Sequence, residues 1–130
     1  MATFVADTHA LVWHLTSPER LGRGARRAFA AADTGRSLVC VPAIVLVEIA
    51  LLHERRRIEP GTARVLETLA EHPGYAVLAL DAPQALEFAA LVGVKDPMDR
   101  LILAAARSIR ARLISSDEAF DGYGVERVWD

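Results

Sequence analysis

The stretch Thr3-Phe4-Val5-Ala6-Asp7-Thr8-His9-Ala10-Leu11-Val12-Trp13 decides how the rest of the chain is read. Residues 3–6 form an apolar run too short for a helix and suited to a buried strand. The run stops at Asp7, and residues 9–15 then open a helix whose cap is Asp7 or Thr8. A strand that leads straight into a helix raises one question, which is whether the alternation repeats.

It does. Ser17-Pro18-Glu19 starts a second helix with a capping serine, a proline at the first position and an acid next. Alanine and arginine carry it to about residue 32, where Thr34-Gly35 stops it. Residues 38–41 are a second strand, and Pro42 opens a strongly apolar helix over 43–53. Pro60-Gly61 and Pro73-Gly74 bracket another helix. A third strand over 75–80 precedes a helix capped by Asp81. Asp96-Pro97 begins a helix that runs to about residue 110, followed by a strand over 113–115. One helical turn after Asp117 and a strand over 125–129 close the chain. No repeat, low-complexity tract or long linker interrupts the pattern. The expectation is one α/β domain over residues 1–130, a three-layer α/β/α sandwich around a mainly parallel sheet of about five strands.

Composition narrows the function classes. Of 130 residues, 52% are apolar, enough for a real core and too many for a disordered chain. Fifteen basic residues against seventeen acidic ones give a net charge of −2, which excludes a generally basic nucleic-acid coat. One cysteine, Cys40, excludes a disulfide scaffold and a zinc knuckle and fits a reducing compartment. No uncharged stretch exceeds eleven residues, short of the roughly 18 that a spanning helix needs. A soluble cytoplasmic protein with no membrane partner is expected.

Parallel sheets bind ligands outside the carboxyl ends of their strands. Asp7 follows the first strand, and Ser115-Ser116-Asp117 follows the fourth. Glu48 lies in Ala43-Ile44-Val45-Leu46-Val47-Glu48-Ile49-Ala50-Leu51-Leu52, with apolar neighbours on its own helical face. Such a carboxylate is solvent-facing on a narrow strip or has a partner, because isolated burial of the charge is costly. Asp99 is the third residue of the helix that Asp96 caps, a place the helix dipole favours for an acid. Capping alone explains Asp7, Asp96, Asp99 or Asp117 taken singly; it gives no reason for several to gather at one edge. If they gather, mutual repulsion must be relieved, and oxygen donors without a Cys or His pattern favour one or two Mg²⁺ or Mn²⁺ ions over zinc. Ions of this kind beside an open groove bind phosphate oxygens and activate water for in-line attack. The hydroxyls of Thr8 and Ser115, next to or near the acids, are expected to hold a metal-bound water.

Asp7-Thr8-His9-Ala10-Leu11-Val12-Trp13, Glu48 in its apolar helix, Asp96-Pro97-Met98-Asp99-Arg100-Leu101-Ile102 and Ser115-Ser116-Asp117-Glu118-Ala119-Phe120 together resemble the PIN domain. More narrowly they resemble VapC-type toxins of bacterial toxin–antitoxin pairs, over essentially the whole chain. The resemblance implies a Mg²⁺- or Mn²⁺-dependent endoribonuclease that leaves 5′-phosphate and 3′-hydroxyl ends. It assigns the acidic set to Asp7, Glu48, Asp99 and Asp117, with Asp96 at most a supporting residue. Met98 stands where this subfamily commonly has phenylalanine, and Lys95 where arginine is frequent; neither touches the acidic set. A cognate VapB-type antitoxin, an RNA substrate (single-stranded or tRNA) and a homodimer are implied as partners. Apolar surface on Ala10, Leu11, Trp13 and the helix around Glu48 is the expected material for such contacts.

Fourteen of the fifteen basic residues are arginine. Arg20, Arg23 and Arg27 fall at helical spacing and predict one basic face, and Arg55-Arg56-Arg57 form a second cluster. Each is a solvated face or a phosphate track leading RNA to the acids. Arg100 is expected to meet transition-state charge or to pair with an acid such as Asp96. The histidines make no metal spacing and are expected to be chemically incidental, and Trp13 and Trp129 to be core or dimer contacts. Two other readings stay open: a non-catalytic metal- or antitoxin-binding module, and an aspartyl phosphatase. The phosphatase is disfavoured because Asp7-Thr8-His9 lacks its second aspartate.

Overall fold

A computed structural model describes all of residues 1–130. Five strands, β1 (Ala2–Ala6), β2 (Ser37–Pro42), β3 (Tyr75–Leu78), β4 (Arg112–Ile114) and β5 (Arg127–Val128), form one sheet in the order β3-β2-β1-β4-β5. Every pairing is parallel. Six helices flank the sheet in an α/β/α arrangement: α1 (Thr8–Thr16), α2 (Arg23–Asp33), α3 (Ala43–Glu54), α4 (Thr62–Ala70), α5 (Ala82–Ala90) and α6 (Pro97–Ser108). Strands this short are held because the central ones are covered on both faces. Val5, Ala6, Val39, Val41, Leu113 and Ile114 are all fully buried, as continuous apolar runs of a parallel sheet should be.

Connection order sets the functional edge. From β1 the chain builds β2 and β3 to one side, whereas β4 and β5 fill the other. The carboxyl ends of β1 and β4 therefore flank the point where strand order reverses, the usual crevice for a ligand in such sheets. The Asp7 amide donates to the Ile114 carbonyl at 3.1 Å, and the Ser115 amide to that of Val128 at 3.3 Å. These bonds extend the ladder to the residues at issue.

One predicted helix is two elements. Residues 18–20 form a single 3-10 turn, and α2 begins only at Arg23. The cause is the chain's far end. A side chain on Gly22 would overlap the Trp129 backbone, and the Ala25 amide donates to the Trp129 carbonyl at 2.9 Å. Continuous helix would leave no room for that strand to pass. Elsewhere the ends of expected elements move by a few residues, most at β5, which keeps only Arg127–Val128.

A half-buried polar link ties the layers together. Tyr75 on β3 donates to Asp33 at 2.8 Å and lies 3.0 Å from Nε2 of His14, whose ring stacks on Phe29. Burial pushes the His14 imidazole below its ordinary value, against the pull of Asp33, so this histidine serves packing.

Candidate active site

The site begins with Asp7, which leaves β1 and turns the chain into α1. Its Oδ1 accepts the Ala10 amide at 2.9 Å, a helix cap. Burial pushes this carboxyl above its ordinary value; the Ser115 hydroxyl, the Ala10 amide and the charge of His9 pull back, and Asp117 adds to the rise. Across the crevice, Asp117 follows β4. Its amide donates to Ser115 Oγ at 3.0 Å, and its own carboxylate caps the next turn at the Ala119 amide, 2.9 Å away. Capping and convergence are thus compatible: a cap occupies one carboxylate oxygen and fixes where the group points.

Glu48 comes from α3, whose residues Val45, Leu46 and Ile49 are core while Val47 and Leu51 face outward. Glu48 itself is half-buried, and the Thr8 hydroxyl donates to its Oε1. Asp99 enters in the first turn of α6, a helix held in place by the buried run from Ile102 to Ala106. Its carboxyl is pushed up to about 6, first by burial and then by the charges of Asp96, Asp117, Glu48 and Asp7.

Asp7, Glu48, Asp99 and Asp117 line a single hollow of about 470 Å³, together with Thr8, His9 and Ser116. Four acids from four separate segments face one space, and no arginine or lysine lines it. An all-oxygen, anionic donor set suits a hard divalent cation, and the raised carboxyls are what such an ion would relieve. No three of these acids stand close enough together, as they are placed, to hold an ion.

Several expectations need correction. Ser115 is fully buried beneath the hollow; it supports Asp117 and Asp7 from behind, and Ser116 is the serine at the surface. Asp96 needs none: it caps α6 as expected, its carboxylate accepting the Met98 and Asp99 amides at 2.8 and 3.2 Å. Arg100 meets neither the crevice nor an acid: its guanidinium lies 4.1 Å from the Phe88 ring centre, and Nε donates to the Phe88 carbonyl. Arg20, Arg23 and Arg27 make no common helical face, since Arg20 belongs to the separate turn. Arg23 lies instead beside Arg26 and Asp130, and Arg27 is exposed on α2. Of Arg55, Arg56 and Arg57, Arg57 alone reaches a hollow near the site, one it shares with Arg20. Ala10 and Leu11 are core and offer no docking surface. His9, expected to be incidental, lines the acidic hollow; its place on the exposed first turn beside Asp7 was the available signal. Lys95 does not line the hollow, which removes the cation that an aspartyl phosphatase would need there.

Comparison with known proteins bears on the fold and the family. No curated protein matches the sequence. Among solved structures, VapBC2 from Rickettsia felis bound to a promoter DNA fragment superposes with a TM-score of 0.75 at 14% identity, covering 98% of this chain and 99% of that one. DNA-bound VapBC from Salmonella typhimurium gives 0.70 at 19% identity, over 98% and 97% of the two chains. FitAcB from Neisseria gonorrhoeae gives 0.65 at 19% identity, over 95% of each. At these identities the likeness speaks for the fold alone. The family model of the PIN domain matches residues 4–126, a span that includes all four acids of the hollow, and the chain belongs to the PIN domain family.

Proposed function

We propose that the acidic hollow is the centre of a Mg²⁺- or Mn²⁺-dependent endoribonuclease, and that the protein is the toxin of a toxin–antitoxin pair. One observation carries the reading: four carboxylates face a single crevice at the strand-order reversal, with no cationic side chain of lysine or arginine among them. Asp7, Glu48, Asp99 and Asp117 would hold one or two ions. A divalent ion bound there supplies charge neutralisation, a Lewis acid for phosphate oxygens and a water acidic enough to attack at neutral pH.

The chain's own contribution is positioning. Thr8 fixes one oxygen of Glu48. The caps hold Asp7 and Asp117 at the strand ends. Asp99 is carried by the buried helix α6 and approaches from the third side. No cysteine or lysine lines the hollow, and Ser116, which does, has no hydrogen-bonded base to activate it, so direct hydrolysis of a phosphodiester fits the residues best. RNA is the proposed substrate, in the cytoplasm, and Asp96 and Ser115 serve only as supports of the acids. A VapB-type antitoxin and a homodimer are the proposed protein partners. They are supported by the neighbouring toxin–antitoxin complexes and by exposed Val47 and Leu51 on α3. No helix is long and apolar enough to cross a membrane.

The test is cleavage of single-stranded RNA or tRNA by the purified protein. Cleavage with Mn²⁺ or Mg²⁺, arrest in EDTA and recovery on adding excess ion are expected. Metal binding without cleavage of either RNA would instead favour a non-catalytic binding module.

A further inference from the structure

Residues 122–126 form the loop that leads into β5, and their five backbone amides donate to no group of the protein. Two of the five belong to glycines in left-handed conformations, Gly122 at φ +92° and Gly124 at φ +80°. Crowding does not explain these glycines, because a side chain on either would meet nothing within 4 Å. Successive free amides in turn conformations make anion-binding concavities. This loop lines a hollow of about 670 Å³ at the edge of the sheet opposite the acids, and Arg110 and Arg112 line the same hollow. The arginine ion pairs of the chain are those of Arg64, Arg107 and Arg127, which leaves Arg110 and Arg112 without one. Arg112 is half-buried, its guanidinium 4.6 Å from the centre of the Phe4 ring, which orients the charge without neutralising it. The acids of the hollow leave both arginines free: Glu87 is taken by Arg107 at 2.8 Å, and the exposed Glu126 pairs with neither. The rest of the wall includes Leu91, Val125 and the half-buried Tyr123, whose hydroxyl makes no hydrogen bond.

A phosphate monoester uses both kinds of donor, because guanidinium forks and free backbone amides each bind its oxygens. Inorganic phosphate would fill only a corner of the space, whose volume falls within the roughly 300–1,000 Å³ of small-molecule sites. An apolar wall with one ring suits the face of a base. Glu126 suits a hydroxyl or amino donor and repels a second phosphate. We infer that this hollow is a binding site for a nucleoside monophosphate. Its phosphate is held by Arg110, Arg112 and the free amides, and its base lies against Tyr123 and Leu91. The site is separate from the acidic crevice and does not depend on the nuclease reading.

Isothermal titration calorimetry with AMP in EDTA tests this, since no ion can then bridge a phosphate to the acids. AMP should bind with a Kd of about 0.1–1 mM, and inorganic phosphate and adenosine each at least about tenfold more weakly. ATP should bind more weakly than AMP. Arg110→Ala removes an exposed side chain and should weaken AMP about tenfold without unfolding the protein. Arg112→Lys keeps the charge but loses the planar fork and should weaken it about threefold. Arg64→Ala, which removes an exposed arginine from α4, and Asp99→Asn, which alters the acidic crevice, should each leave the affinity within about twofold of the parent. Absence of AMP binding by the parent, equal losses from Arg64→Ala and Arg110→Ala, or inorganic phosphate binding as tightly as AMP would overturn the inference. So would tighter binding in Asp99→Asn, which would put the ligand among the acids.

Discussion

Two hollows at opposite edges of the sheet differ in the way that matters. The larger, about 670 Å³, lies between the end of α6, the start of β4 and the loop before β5, and contains Arg107, Arg110, Arg112, Glu87 and Glu126. It holds charges of both signs, and two of them are paired: Glu87 and Arg107 meet at 2.8 Å, and Arg107 also donates to the Tyr123 carbonyl. The smaller hollow collects four acids and settles none of them with a cationic partner. Two of those acids, Asp7 and Asp99, are pushed above their ordinary range. A fold optimised for stability alone would not keep that repulsion. Size alone would favour the larger space; uncompensated charge favours the smaller one as the proposed working site.

The sharpest way to break this contrast is to exchange acids for amides. Asp7→Asn, Glu48→Gln and Asp99→Asn should each lower Mn²⁺-dependent RNA cleavage by more than about 100-fold, because loss of a direct ligand should exceed the cost of losing a ligand's support. Arg110→Ala in the larger hollow should stay within about twofold of the parent rate. Normal rates in all three acid variants would leave the small hollow without a function. Next in size is Thr8→Val. It removes the hydroxyl that holds Glu48 and keeps the shape of the side chain, so cleavage should fall about tenfold. A metal titration should show weaker Mn²⁺ binding by a similar factor, which a purely structural role for Thr8 would not produce.

The acids were legible because their surroundings were. Asp7 and Asp117 end apolar strands, Glu48 interrupts an apolar helix and Asp99 precedes one, so each stands against a background that fixes its place. Exposed arginines have no such background. Nothing local says that Arg20 turns onto Trp13 or that Arg100 turns onto Phe88, since both choices depend on rings brought up by the tertiary fold. The broken helix at Gly22 was hidden for the same reason, because the group that occupies the space, Trp129, is at the other end of the chain. Ser115 was picked out over Ser116, but the direction in which the strand's alternation runs buries Ser115 and exposes its neighbour.

Stability gives finer tests. In the protein free of metal, the Asp99 carboxyl rises from its ordinary 3.8 to about 6, so folding favours its protonated form. That contribution is complete below about pH 4 and is lost as pH rises through 6. Asp99→Asn should then raise Tm at pH 7 in EDTA by on the order of 3 °C, the exposed half of the site screening the remainder, and by nothing near pH 3.5. Adding Mn²⁺ should reverse the order, stabilising the parent more than the variant. An Asp99→Asn protein that melts lower than the parent at pH 7 in EDTA would mean that the acids are not in conflict.

The larger hollow predicts the smallest effect. Glu87→Gln breaks the Glu87–Arg107 pair, but both side chains are about one-third exposed, and Arg107 keeps its bond to the Tyr123 carbonyl. Pairs of this kind contribute about 0.2–1 kcal/mol, so Tm should fall by no more than about 4 °C, less at high salt, with cleavage unchanged. The sign distinguishes the two edges: removing a charge costs stability where charges are paired and restores it where they repel. A cleavage defect in Glu87→Gln as large as that of Thr8→Val would join the larger hollow to the working site and dissolve the contrast.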